Sequence, residues 1–391
     1  MKYIPRLIEN QLLRAARSFP ALILTGPRRS GKTTLLRKLF PQAAYRLLED
    51  PDVVARVRSD PNTFLDEIDG PVVLDEIQNA PEILNYIRTR IDRRSRKTGQ
   101  WLLTGSQEAP LMKGVTESMA GRAAVFSLLP LSLLESPRVT LRRGGFPEAL
   151  AKPANAPIWF SSYVQTYLER DVRAISSIRD LSTFRRFLTL LASRSGTILN
   201  RTDLAAPIGV SVPTISEWLS ILETTGQILL VPPFFENFGK RLIKSPKVYF
   251  LDSGLLGYLL GIESEAMLNR SPFLGPLFET MVASEIVKAQ INSGRPRALY
   301  FFRDQQGLEV DFVVPRGDRR LFLIEAKASR TVTPQMGEPL ARLAEAVSAY
   351  RIDSVVVHRS PKEPDGIRAL RPGVRSASLE ELLARLEHGR A

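Results

Sequence analysis

Residues 26 to 34 read Gly26-Pro27-Arg28-Arg29-Ser30-Gly31-Lys32-Thr33-Thr34. Two glycines bracketing four residues, then a lysine and a hydroxyl, are the types and spacing that wrap a chain of phosphates. Gly26 and Gly31 let the backbone come close to phosphate oxygens and aim its N–H groups at them. Lys32 can reach the β- and γ-phosphates, and the Thr33 hydroxyl suits a Mg²⁺ ion. The chemistry would be hydrolysis of ATP with Mg²⁺, and hydrolysis needs acids. Pro71-Val72-Val73-Leu74-Asp75-Glu76 supplies two at the end of an apolar run. Asp75 can hold Mg²⁺ through water, and Glu76 can polarise the attacking water. A further hydroxyl at the tip of Gln100-Trp101-Leu102-Leu103-Thr104-Gly105-Ser106 can orient that water. Thr104 is preferred for this, with Ser106 as the alternative.

A second constellation lies in the last third. Glu279 opens a helix, Asp311 sits in Leu308-Glu309-Val310-Asp311-Phe312, and Glu325 and Lys327 sit in Leu323-Ile324-Glu325-Ala326-Lys327. Residues two apart on a strand share a face, so Glu325 and Lys327 are expected side by side. Asp311 and Glu325 could ligate Mg²⁺ while Lys327 stabilises a pentacovalent phosphate or positions water. An acid on a helix, an Asp, then Glu-x-Lys across a strand–turn–strand resembles the PD-(D/E)xK nucleases. That resemblance implies Glu279, Asp311, Glu325 and Lys327 as a catalytic set, either active or kept only as a DNA-binding fold.

The elements that must position these groups can be read around them. Ala21–Leu24 is a strand, Leu35–Phe40 a helix, and buried parallel strands read as continuous apolar runs, as 72–74 and 101–103 do. Such strands collect their functional residues at their carboxyl ends. A short helix over 116–121 precedes Arg122 and the strand Ala123–Phe126. From there Arg122 can point at the γ-phosphate of a neighbouring subunit; Arg90, Arg93 and Arg94 are the fallback positions, and a plain surface arginine stays open. A helix over 158–175 carries Tyr163, Val164 and Tyr167 on one face and Arg170 and Arg173 on another. Residues 181 to 231 read as helix, helix, helix, strand, with Asn200 capping the second helix. With 247–251 as a second wing strand this looks like a winged helix, its tip holding Lys240, Arg241, Lys244 and Lys247 for phosphates. The third helix has no Lys or Arg between 212 and 222, so backbone or shape recognition is expected rather than base reading. From 329 onward helix, strand and helix alternate, as a nuclease-like α/β core requires.

The order of phosphate loop, acidic strand end, sensor strand, arginine and final strand resembles the AAA+ superfamily. LTGPRRSGKTT, VVLDEIQ, LLTGSQ and SMAGR are similar to a large prokaryotic group of AAA+ ATPases with a C-terminal domain of long-undefined function. The resemblance implies an α/β chain: an AAA+ parallel-sheet domain over 1–135, a winged-helix middle domain over 136–265, and a restriction-endonuclease-like domain over 266–391. It also implies a homo-oligomer, a ring hexamer, that moves on or remodels branched or duplex DNA. Two other functions stay open: an ATP-regulated defence nuclease, and an ATP-switched signalling scaffold. The net charge of +13 over 391 residues favours a polyanion partner. With no cysteine there is no disulfide or thiolate metal site, which fits a reducing cytoplasm. The only two histidines, His358 and His388, argue against a histidine metal site or triad. No signal peptide and no bilayer-spanning run are found, so no membrane partner is expected.

Overall fold

The computed structural model describes residues 3–93, 97–105, 118–168, 181–234, 244–317, 319–347, 349–359 and 368–388. The chain forms two compact units. One is the stretch up to Leu131 with Thr224–Gly226 and Ile291–Gly294; the other is Ser132–Glu223, Gln227–Gln290 and the chain from Arg295 onward. Apart from Thr224–Gly226 and Ile291–Gly294, residues 136–391 fall in the second unit.

The first unit runs α1 (Glu9–Ser18), β1 (Ala21–Thr25), α2 (Lys32–Leu39), β2 (Ala44–Leu47), α3 (Pro51–Ser59), α4 (Pro61–Asp66), β3 (Val72–Asp75), α5 (Ile83–Arg93), β4 (Trp101–Thr104) and β5 (Ala123–Ser127). The strands make one sheet in the order β2-β3-β4-β1-β5, every pair parallel. Every residue of β1, β3 and β4 is buried, as strands covered on both faces must be. Alternation sorts them: Leu22 and Leu24 pack with Ile8, Leu12, Leu35 and Leu36 on one face, Ile23 with Phe64, Ile83 and Ile87 on the other. β2 was not legible beforehand. It is a short edge strand whose four residues are all half-buried, so it shows neither an apolar run nor alternation. Because all five strands run the same way, the loop after β1 and the ends of β3 and β4 meet at one edge.

The second unit is built mainly from α6 (Pro147–Ala151), α7 (Ala156–Tyr163), α8 (Leu181–Ser193), α9 (Arg201–Ile208), α10 (Val212–Thr224), β6 (Ile228–Val231), β7 (Lys247–Phe250), α11 (Ser253–Leu259), α12 (Glu265–Arg270), α13 (Leu274–Asn292), β8 (Tyr300–Arg303), β9 (Glu309–Pro315), β10 (Arg320–Lys327), α14 (Glu338–Ala346), β11 (Arg351–His358), β12 (Arg368–Arg371), β13 (Val374–Ser378) and α15 (Leu379–His388). The Asn200 side chain caps α9 by accepting from Thr202 N at 3.0 Å, and Gly209 ends it with φ +77°. Trp218 of α10 packs against Phe184 and Phe187 of α8, with ring centroids 5.3 and 5.1 Å apart. β6 and β7 form an antiparallel pair, Ile228 opposite Phe250 and Val231 opposite Lys247. The other six strands form a mixed sheet ordered β12-β13-β11-β10-β9-β8. Its hairpin β9–β10 sets Phe312 opposite Ile324. Of the helix expected over 158–175, the described part is α7 and a π-helical turn, Val164–Leu168; residues 169–175 lie outside the described residues. Ser106, Arg94, residues 116 and 117, Arg170, Arg173, Lys240 and Arg241 lie outside the described residues. No single described helix is long and apolar enough to cross a membrane.

Candidate functional site

The loop between β1 and α2 is held by close backbone packing. At Gly26 φ is +135°, and a Cβ there would lie 2.3 Å from the Leu128 carbonyl oxygen, so only glycine fits. Arg29 and Gly31 also take positive φ, +62° and +98°. The buried Arg6 guanidinium donates to Ser30 O at 3.1 Å and to Leu129 O at 2.7 Å, tying the loop to the segment after β5. Pro27 and Ser30 are buried, Arg28 is half-buried, and Arg29 and Thr34 are exposed. Lys32 begins α2, and its Nζ donates to the carbonyls of Gly26 and Pro27 at 3.0 Å each, which keeps the ammonium over the loop. α2 sets the N–H groups of its first turn beside this loop, an arrangement suited to an anion.

Asp75, at the end of β3, is almost fully buried and gathers three hydroxyls. Thr33 Oγ1 donates toward both of its oxygens at 2.9 Å, Tyr45 Oη donates to Oδ2 at 2.7 Å, and Thr104 Oγ1 donates to Oδ1. Burial, and then the bond to Asp75, hold the Tyr45 phenol far above its ordinary range, so it remains a donor. The Thr33 hydroxyl and Asp75 carboxylate, in direct contact, are hard oxygen donors of the kind Mg²⁺ takes together with phosphate oxygens and water. Glu76 leaves the strand in the left-handed region, φ +60°, a cost that a non-glycine residue bears where geometry demands it. Its N–H donates to Thr104 Oγ1 at 3.2 Å. Its carboxylate accepts from the Gln78 amide and lies 3.8 Å from the Arg28 guanidinium. Thr104 therefore spends its proton on Asp75 and accepts from Glu76, so it aligns the two acids. Any influence on a water would run through Glu76.

Tyr45 was missed in the sequence, where nothing links it to an acid 30 positions downstream; only the pairing of β2 with β3 does. Tyr45→Phe should lower the ATPase rate by about tenfold, the kinetic equivalent of one charge-assisted hydrogen bond. It should also raise the Mg²⁺ concentration for half-maximal rate, whereas a purely structural loss would leave that midpoint in place.

Arg122 sits elsewhere. β1 and β5 pair in parallel from Ala21–Ala123 to Thr25–Ser127, and Ala21 N donates to Arg122 O at 3.2 Å. Arg122 thus stands at the opposite end of the strands from the loop, roughly 16 Å away at strand rise. It cannot serve the loop of its own chain. Its Nε and Nη2 grip Asp92 at 2.7 and 2.9 Å, and Nη1 donates to Ala120 O at 2.9 Å. Of the fallback arginines, Arg90 is engaged with Asn62 and Asp66.

The second constellation comes together in the other unit, with two additions. β7 presents Lys247 and Tyr249 on one face, β9 presents Glu309 and Asp311, and β10 presents Glu325 and Lys327. Lys247 Nζ lies 3.1 Å from Glu279, 2.6 Å from Glu309 and 3.6 Å from Asp311. Tyr249 Oη donates to Glu279 at 2.5 Å, Ala326 N to Asp311 at 2.9 Å, and Lys327 Nζ to Glu325 at 2.6 Å. This corrects the expectation that Lys247 is a phosphate contact at a wing tip: its side chain is 3% exposed and faces acids. Lys244, by contrast, is exposed. Burial opposes the Lys247 charge, but Glu279, Asp311 and Glu309 more than offset it, and the ammonium is held above its ordinary range. Burial, and then repulsion by Asp311, push both Glu279 and Glu325 up, toward the protonated form. Among the described residues no group of three or more acids or histidines is arranged to hold a metal ion. Asp311 and Glu325, the donors expected to take Mg²⁺, pair here with Lys247, Lys327 and the Ala326 amide.

An AAA domain matches residues 18–136, and two domains of unknown function, DUF8612 and DUF4143, match 135–266 and 274–368. The chain is 31% identical over 390 residues to the uncharacterized protein Rv2008c of Mycobacterium tuberculosis and, equally, to Mb2031c of Mycobacterium bovis. Each match covers 96% of this chain and 86% of the relative. Among solved structures, a Walker-type ATPase of Pyrococcus abyssi matches at 15% identity and TM-score 0.43, covering 64% of this chain and 94% of that one.

Proposed function

The chain belongs to the family of these mycobacterial proteins and is a P-loop ATPase of the AAA kind, and from that premise we propose that it is an oligomeric, DNA-bound motor driven by ATP hydrolysis. The reading rests on one observation: Lys32, Thr33, Asp75 and Glu76 meet at a single sheet edge. The loop N–H groups and Lys32 would bind the triphosphate. Mg²⁺ held by Thr33 and Asp75 would offset charge on the phosphate oxygens. Glu76, freed from Arg28 and Gln78, would take the proton of the attacking water. Arg122, too far from its own loop, would act on the loop of the next subunit, which makes the oligomer part of the active site.

DNA is the proposed track because the chain carries a net charge of +13. The three helices α8–α10 and the β6–β7 pair resemble a winged helix, and α10 contains no Lys or Arg, which suits backbone contacts. The functional division proposed is 1–135 for ATP, 136–265 for DNA, and 266–391 as a nuclease-like fold that grips without cutting. The test is the ATPase rate of the full chain alone and with single-stranded, duplex and four-way-junction DNA, at low and moderate salt. Stimulation that is greatest on one form and fades steeply with salt is expected. A rate indifferent to all three would remove DNA as the track.

A further inference from the structure

A lysine stands where the nuclease-like pattern calls for a metal. Its strand, β7, comes from the middle of the chain, while the acids come from α13 and β9. Nothing in the Glu279, Asp311, Glu325, Lys327 pattern announces it. We propose that Lys247 is the resident cation of this carboxylate centre, so that the centre takes no divalent metal and instead rivets the β6–β7 hairpin to α13 and the mixed sheet.

Three features of the geometry carry this. First, position: Nζ is within 3.6 Å of three carboxylates at once, the place a shared divalent ion would take. A second cation a few ångströms away would be repelled inside a poorly screened interior. Second, each carboxylate already has a further partner. Asp311 also accepts from the Ala326 amide, Glu279 from Tyr249, Glu309 from Arg303 at 3.2 Å, and Glu325 from Lys327. Third, the charges nearly cancel without a metal. Four acids, Glu279, Glu309, Asp311 and Glu325, face three cations, Lys247, Arg303 and Lys327. Mg²⁺ also keeps several waters and sheds them reluctantly, and the position among the carboxylates is taken by a buried ammonium.

The experiment is a Mn²⁺ titration of the full-length protein without nucleotide, with bound ion counted by electron paramagnetic resonance. The wild type and Asp311→Asn should bind the same number of ions. Lys247→Met should bind one more per chain, and the double variant Lys247→Met/Asp311→Asn should lose it again. An ion on the wild type that Asp311→Asn removes would overturn the proposal, and this comparison decides even if Lys247→Met does not fold. A folded Lys247→Met that gains no ion would overturn it equally. The count is read without ATP or DNA, so it stands apart from the motor reading.

Discussion

Replacing Glu76 by glutamine should slow ATP hydrolysis by about 10²- to 10⁴-fold, the typical contribution of a positioned base, and leave ATP binding intact. The shape at 76 is kept and only the ability to take a proton is lost. The triphosphate is gripped by the loop and Lys32, which the change does not touch. Arg122→Ala should cost at least as much, because an arginine supplied across an interface contributes roughly 10³- to 10⁵-fold, again with binding unchanged. A fluorescent ATP analogue measures the first property and phosphate release the second. The decisive arm is a mixture. A subunit lacking Arg122 still offers a sound Glu76, and a neighbour carrying Gln at 76 still offers its Arg122. Co-assembled inactive variants should therefore recover a substantial part of the rate. No recovery on mixing, or a normal rate in Arg122→Ala, would show that Arg122 only braces Asp92 and would turn attention to Arg90 and Arg93.

Lys247→Met should destabilise the second unit by about 3–5 kcal/mol, the usual cost of removing one partner from a buried ion pair. Three partly buried carboxylates would lose their common cation, whose own side chain is 3% exposed. Adding Glu279→Gln should recover part of the loss, since one uncompensated charge goes with it. The pH dependence has a definite sign. Glu279 and Glu325 are already held above the ordinary carboxylate range, and removing Lys247, which favours the charged form of Glu279, pushes Glu279 further. Acids with raised folded-state values bind protons more tightly when folded, so the variant loses stability as pH rises through that range and regains it as pH falls. Urea unfolding at pH 5 and pH 8 measures this. A loss below about 1 kcal/mol, within the range of an exposed pair, would mean the cluster is solvated and weak.

The candidate ATP site could be picked out because its parts are local in the sequence. Gly26 to Thr34 is one continuous loop, and Asp75 and Glu76 end an apolar run whose burial on both faces is visible in the residues themselves. Tyr45 was not legible. It stands on an edge strand of four half-buried residues, and its bond to Asp75 exists only through strand pairing. The same holds for Arg6, which reaches Ser30 and Leu129 from ahead of α1. Lys247 was misread for a related reason. In the sequence it belongs to a run of basic residues, and only its place on β7 turns it inward.

The sequence by itself determined the chemistry of the first third. Glycines that permit close approach, a lysine and paired acids at strand ends have few other uses at that spacing. It also determined the alternation that puts Glu325 beside Lys327. Tertiary structure decided what those groups meet. It set Arg122 at the far end of the strands from its own loop and joined Asp75 to Tyr45. It also placed the Lys247 ammonium among acids that the pattern alone would have assigned to a metal. A residue's type states which charges it can carry. Only the folded chain states which opposite charge arrives first, because that depends on strand register and helix packing between segments far apart in sequence.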